Sequence, residues 1–358
     1  MPASKFFRPE ILRAKAYAGF AEEGFIRLDA HENPYPLPQF LREKLAKQLA
    51  SLALARYPDP TAKELKKALR KQDPVLADWP LVMGNGSDEL IQMLFLALPR
   101  HTTALGVAPS FSMYEKIANF CGVPYETVPL NDDFSLPRTA LEKAMAQKQP
   151  GLVLLATPNN PTGNAFDRNV LLSIIEKAPG LVMIDEAYLP FARSKSFVAE
   201  LERFEHLVVL RTLSKVGLAG LRIGYLAAAE AIANEIEKIR LPYNVGTLNQ
   251  EAAIFILEHF DVLQEQIDNI LADRERLTHR LRDLGLQVFP SQANFLLVKV
   301  PDADALYSYL KKHKILVKNL HGEHPLLHQC LRISVGLPED HDMLLVLIES
   351  YLHAPRHV

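Results

Sequence analysis

Two cysteines, Cys121 and Cys330, are all that 358 residues contain. They lie far apart and in no CxxC pattern, so no disulfide framework is expected and a reducing, cytoplasmic setting is. Lys and Arg (40) nearly balance Asp and Glu (42), for a net charge of -2. No bias toward nucleic acid or an anionic membrane follows from that balance. No apolar stretch reaches the roughly 18 residues a membrane span needs. The N-terminal "MPASKFFRPEILRAKAY" is basic but lacks an unbroken apolar core, so no signal peptide is expected. Repeats and low-complexity linkers are also missing. No Gly-Lys pair occurs anywhere, which removes the phosphate loop of a nucleotide hydrolase.

What is present is 48% hydrophobic residues, enough for a large buried core. Short apolar runs such as "TALGVAP" (103–109), "GLVLLATP" (151–158), "GLVMIDEAY" (180–188), "HLVVLRTLSK" (206–215) and "LRIGYLAA" (221–228) end in polar or glycine-bearing residues. Their length and their Val, Leu and Ile content suit strands buried on both faces. Helical patterns lie between them, as in "SDELIQMLFLAL" (87–98) and "DRNVLLSIIEKA" (167–178). The alternation predicts an α/β fold with a mainly parallel central sheet, helices on both faces, and a smaller α+β domain. The expected divisions are an N-terminal arm (1–30), a large domain (31–245), a connecting helix (246–272) and a small domain (273–358).

In such sheets ligands bind beyond the carboxyl ends of the strands, so the polar run ends are candidates for one shared site. In "GNGSDELIQ", Ser87 and Asp88 are N-cap candidates at a helix start that can hold an anion. "ATPNNPTGN" is a rigid loop that fixes Asn159 and Asn160 at a strand end. Asp185 and Glu186 follow a buried strand. They read as a metal-binding acid pair, as a carboxylate for a cationic ring nitrogen, or as a turn cap. "HGEHPLLH" (321–328) has three histidines, but Pro325 breaks any helix there, so a zinc site and a solvated loop both remain open.

The order of the pieces is more specific than any one of them. Asp185 lies 25 residues after Asn160, and Lys215 of "TLSK" a further 30 on. With "LDAHENPYPLP", "RYPDP", "GNGSDELI", "PNNPTGN", "RTLSKVGLAGLRIGY", "PYNV", "ANFLLV" and "HPLLHQCLRISVG", the chain resembles the fold-type-I aminotransferases that use pyridoxal phosphate (PLP). Within them it resembles the histidinol-phosphate aminotransferases. The resemblance implies amino transfer between L-glutamate and imidazole-acetol phosphate. An aromatic or broad-specificity aminotransferase and a threonine-phosphate decarboxylase share the fold and are the alternatives. An effector-sensing half of a transcription regulator would need a DNA-binding module ahead of "DAHENP", and only about 30 residues stand there.

By the same resemblance, Lys215 would bond the cofactor aldehyde as a Schiff base and later shuttle a proton. Asp185 would pair with the ring nitrogen and keep it protonated. Asn160 and Tyr188 would hydrogen-bond the phenolic oxygen, and Phe111 would stack on the ring where relatives often carry tyrosine. Ser87, Asp88 (through its backbone), Ser214 and Arg222 would hold the phosphate, with Tyr57 of a second subunit completing it in a homodimer. Arg332 would grip the substrate's anionic end, with Tyr17, Asn33 and Tyr243 lining that pocket. Lys318 stands where some relatives have arginine, keeping the charge and losing the fork. Only six residues separate Lys215 from Arg222, where many relatives have seven.

Overall fold

The computed structural model describes residues 5–16 and 23–353. Seven strands form the large sheet: β2 (Leu81–Asn85), β3 (Ala104–Ala108), β4 (Tyr125–Pro129), β5 (Leu152–Ala156), β6 (Leu181–Asp185), β7 (Leu207–Thr212) and β8 (Ile223–Ala228). Their spatial order is β2-β8-β7-β6-β5-β3-β4. All neighbours pair in parallel except those of β8, which runs antiparallel to both β7 and β2.

The apolar runs are continuous because both faces of this sheet are covered. Along β5, Val153 and Leu155 enter one core with Leu171, Ile174 and Ile175 of helix Arg168–Lys177. Leu152, Leu154 and Ala156 enter a second core with Leu90, Ile91 and Leu94 of helix Ser87–Ala97. Period-two alternation thus sends successive side chains to opposite layers. Helix Arg168–Lys177 starts where Asp167 accepts hydrogen bonds from the N–H groups of Asn169 (2.9 Å) and Val170 (3.0 Å). Such a cap is worth about 1 kcal/mol.

A second sheet joins β1 (Ile26–Leu28), β9 (Gln287–Val288), β10 (Phe295–Lys299), β11 (Ile315–Asn319) and β12 (Cys330–Ser334) in the order β1-β11-β12-β10-β9. One face of β10, through Leu296 and Val298, packs into a core of its own. The other face, through Phe295 and Leu297, belongs to the large core, so the two sheets share a packed boundary. The stretch from 246 to 285 forms two helices, Thr247–Leu257 and Phe260–Asp283.

β1 positions the site from the N-terminal side. It pairs in parallel with β11, Ile26 opposite Ile315. Residues 30–33 follow it onto the rim of the large sheet, where Ala30 and Glu32 line the cavity described below and His31 meets Tyr188. A three-residue strand is too short to show in a hydrophobic pattern, which is why the first 30 residues read as an arm without periodicity.

Candidate active site

The parallel strands β3, β5, β6 and β7 end along one rim, and β2 runs in the same direction as β7 because both oppose β8. The reversed strand β8 therefore begins where the others end. This brings Arg222, the residue before it, to the rim that already carries Asn160, Asp185 and Ser214. A cavity of about 340 Å³ opens there, lined by Ser87, Asp88, Phe111, Asn160, Asp185, Tyr188, Ser214, Lys215 and Arg222 among others. Its size suits a small organic ligand.

At one end of the cavity is the start of helix Ser87–Ala97. Ser87 and Asp88 are its first two residues rather than its cap. The cap position is Gly86, which makes no side-chain bond. Gly86 has φ 83° and ψ 168°, a region open essentially to glycine alone. A β-carbon on Gly86 would land on the Arg222 guanidinium, and one on Gly224 would meet the Ser87 nitrogen at 2.6 Å. The two glycines thus let an arginine lie across free helix N–H groups, and dipole and guanidinium together favour an anion there.

Arg222 reaches this place by a compressed path. Ser214–Leu218 makes one wide turn broken at Gly217 (φ 119°), and Ala219–Leu221 a tighter one. Arg222 itself is left-handed (φ 50°, ψ 48°), a conformation costly for a side chain with a β-carbon. Asp88 lies 3.8 Å from Arg222 Nη2, and burial raises its carboxyl above the usual range. Thr212 Oγ1 lies 2.8 Å from Ser214 Oγ and accepts from the Ser214 N–H, fixing the hydroxyl beside the lysine. Gly86→Ala is expected to weaken PLP retention about tenfold, the equivalent of ~1.4 kcal/mol, as measured by equilibrium dialysis of the apoprotein.

The acid pair divides between the two faces of its strand. Glu186 turns away into a buried cluster, accepting from Arg211 Nε (2.9 Å), Ser196 Oγ (2.7 Å) and the Phe197 N–H (2.6 Å). Asp185 faces the cavity. Its Oδ2 accepts from Tyr114 Oη at 2.7 Å and its Oδ1 from the Ala187 N–H at 2.9 Å. Burial pushes its carboxyl up to about 6, against the pull of those two donors. Among the described residues no group of three or more His, Cys, Asp and Glu could hold a metal ion. In the histidine-rich loop, ring nitrogens of His321 and His324 accept from the Gln329 and Leu326 N–H groups.

Lys215 Nζ lies 5.8 Å from the centre of the Tyr188 ring. Burial, and after it the charge of Arg332, lowers its amine to about 8, although Asp88, Asp185 and Glu32 pull the other way. A base shifted down has its neutral form at a lower pH, so nucleophilicity rises as pH rises through 8 rather than through the ordinary value of 10.5. The covalent capture of pyridoxal by the apoprotein is expected to follow that curve with a midpoint near 8. A midpoint above 10 would mark Lys215 as an ordinary surface amine.

Asn159 and Asn160 also part company. Asn159 is wholly buried and staples its loop to Ser110, the Pro109 carbonyl and Thr162. Asn160 faces the cavity, accepting from Arg332 Nη1 at 2.7 Å and donating to Tyr188 Oη at 3.2 Å. Arg332 also donates to the Asp29 carbonyl at 3.0 Å.

Other residues named from the sequence do not line this cavity. Asn33 donates to the Val216 carbonyl and to Gln266. Tyr57 and Tyr243 stack on each other at 4.4 Å, with Tyr243 lining a separate cleft. Lys318 lies opposite Arg332 in the β11–β12 register but is ion-paired with Glu323 at 2.7 Å. Tyr17 lies outside the described residues. Four more residues stand at or beside the site without having been singled out from the sequence: Thr212, which is local to Ser214, and Tyr114, His31 and Glu32, which arrive through tertiary contacts. Only "DAHENP" offered a signal for two of them.

These features fit PLP: an anion cradle that a β-carbon would fill, an amine in the cavity, a buried carboxylate at depth, and hydroxyl and amide groups between. The chain matches the model of the family "Aminotransferase class I and II" over residues 23–348. It is 46% identical to the histidinol-phosphate aminotransferase of Chromobacterium violaceum over 353 residues, covering 98% of this chain and 99% of that protein. It is 44% identical to that of Methylibium petroleiphilum, covering 98% and 95%. The structure of histidinol-phosphate aminotransferase from Sinorhizobium meliloti in complex with pyridoxal-5'-phosphate superposes with a TM-score of 0.84 at 24% identity, covering 97% of this chain and 98% of that one. A family match across nearly the whole length, on a fold and rim of this form, leads to one conclusion: the chain belongs to the class I and II aminotransferases.

Proposed function

We propose that the protein is a PLP-dependent histidinol-phosphate aminotransferase, moving the amino group of L-glutamate to imidazole-acetol phosphate. The products are histidinol phosphate and 2-oxoglutarate. When bound, PLP supplies an electron sink and carries the amino group between the two half-reactions. The remaining chemistry belongs to the chain. Ser87, Ser214, Arg222 and the N–H groups at the helix start bind the cofactor phosphate. Asp185 holds a proton at the ring nitrogen, and Tyr188 and Asn160 bind the phenolic oxygen. Phe111 packs on the ring face. Lys215 Nζ would hold the cofactor aldehyde until the substrate amine displaces it, and the freed amine would then hold the proton taken from the substrate α-carbon.

The observation that carries the substrate is a pair of cations. Arg332 and Lys318 stand opposite each other on neighbouring strands, so their side chains leave the same face. Two cations suit a phosphate dianion, and the glutamate carboxylate needs only one of them. The Lys318–Glu323 pair is half-exposed on both sides, 45% each, so exchanging Glu323 for a substrate oxygen costs little. Purified protein with PLP, glutamate and imidazole-acetol phosphate is expected to release 2-oxoglutarate. Turnover of an aromatic keto acid without turnover of imidazole-acetol phosphate would reject the reading.

The same reading includes a homodimer. Tyr57 is 80% exposed, and its neighbour Leu54 and Leu241 beside Tyr243 stay exposed around the Tyr57–Tyr243 stack. A second copy covering this face would bring Tyr57 to the partner's phosphate cradle, and a dimeric mass by light scattering is expected. The two cysteines are free, in keeping with a reducing cytoplasm. Among the described residues no helix is long and apolar enough to cross a membrane.

A further inference from the structure

We propose that His31 is a positioning residue for the Tyr188 hydroxyl. It donates its Nδ1 proton to Tyr188 Oη, so that the single phenolic proton is left to face the cavity. The proposal rests on the PLP reading, because the phenolic oxygen of PLP is what that proton would meet.

The contact is direct: His31 Nδ1 lies 2.9 Å from Tyr188 Oη, deep in the interior. Which group donates follows from the neighbours. Asn160 Oδ1 accepts from Arg332 Nη1, so its amide nitrogen must be the atom turned to Tyr188. That fills one of the two lone pairs a tyrosine oxygen has. If His31 accepted, Tyr188 would spend its only proton on the imidazole and have none for a ligand. If His31 donates, the second lone pair is filled and the proton is free to point into the cavity.

The other ring nitrogen decides between these. His31 Nε2 is buried and has no hydrogen-bond partner among the described residues. One tautomer leaves a bare lone pair there and the other an orphaned N–H. Among buried backbone groups an orphaned N–H is rarer than an unfilled acceptor; the same preference applied to the imidazole puts the proton on Nδ1.

The ring is held for this task. It stacks on Phe295 at 4.5 Å and meets Tyr188 edge-on at 5.7 Å. The His31 N–H donates to Ser334 Oγ (3.0 Å), and its carbonyl accepts from Asn294 Nδ2 (2.9 Å). Ser334 ends β12 and Asn294 immediately precedes β10, so the Tyr188 hydroxyl is set by the junction of the two sheets. The backbone of His31 is left-handed (φ 57°), where histidine and asparagine are among the better-tolerated side chains. Burial, with the charges of Arg332 and Lys215, keeps the imidazole neutral.

Two measurements on the protein test this. Selective ¹⁵N-histidine labelling of the apoprotein is expected to show His31 with a protonated Nδ1 and a bare Nε2. An Nε2–H tautomer overturns the proposal without touching the PLP reading. After loading with PLP, the pH midpoint of the visible absorbance is compared among wild type, His31→Leu and His31→Asn. A donor at the phenolic oxygen favours its anionic form, so weakening that donor raises the midpoint. His31→Leu, which removes the proton, is expected to raise it by about half a unit, while His31→Asn, which keeps a donor, stays close to wild type. Equal shifts in both variants, or none in His31→Leu, overturn the proposal. A wild-type protein that takes up no PLP overturns the cofactor reading instead, and with it this use of the proton.

Discussion

Lys215→Ala is expected to lower turnover by about 10⁴-fold or more, the upper range of what one acid–base group contributes, while leaving the fold intact. The reason is double use. On the proposed function the same amine would tether the cofactor and move the proton, and among the described residues Lys215 is the only lysine that lines the cavity. Its neighbours act differently: Ser214 is fixed by Thr212, and Arg222 is committed to the helix start. Borohydride reduction followed by peptide mass spectrometry is expected to find the cofactor on the 211–222 segment in wild type and nowhere in the variant. A variant that retained a borohydride-stable adduct would refute the role of Lys215.

Asp185→Asn is the second large effect, expected to lower kcat by about 10²–10³-fold, the range seen when one charge-stabilising group is removed. The substitution is nearly isosteric but electrically wrong. Both carboxylate oxygens already accept, one from Tyr114 Oη and one from the Ala187 N–H. An amide has only one acceptor oxygen, which the Ala187 N–H claims. Its NH₂ then faces Tyr114, whose hydroxyl must turn round and accept. The ring nitrogen loses an anion that burial had made costly to keep and that the site keeps nonetheless. PLP should still bind through the phosphate cradle, so absorbance of the loaded variant separates lost chemistry from lost cofactor. A kcat within threefold of wild type would remove Asp185 from the mechanism.

The parts legible in the sequence were those whose cause is local. Five apolar runs became β3 and β5 to β8, because strands covered on both faces must be continuously apolar. β4, "YETVP", sits at the sheet edge with no residue fully buried, and so carried no such signal. Asp185, Lys215 and Asn160 were legible through motif order. What assists them was not. Tyr114 lies on helix Met113–Cys121, and the sheet's stacking alone brings it to Asp185. His31 reaches Tyr188 because β1 pairs with β11, a register no local pattern specifies. The helix start at 87 was readable, but its cap was not: a glycine whose reason is the arginine lying across it leaves no mark beyond a glycine.

That arginine also ends the short step after Lys215. A left-handed Arg222 turns the chain directly into β8 and aims the guanidinium at the cradle. The strain stored there is of the order of 1–2 kcal/mol, and it is held by a strand buried along its whole length.

The most direct test of the whole reading compares kcat/KM for histidinol phosphate, histidinol and phenylalanine, each with 2-oxoglutarate as acceptor. If Arg332 and Lys318 recognise a substrate phosphate, histidinol phosphate is expected to exceed histidinol by about 10²-fold or more, the worth of a charge-assisted pair. It is also expected to exceed phenylalanine. Equal values for histidinol and its phosphate, or a preference for phenylalanine, would contradict it.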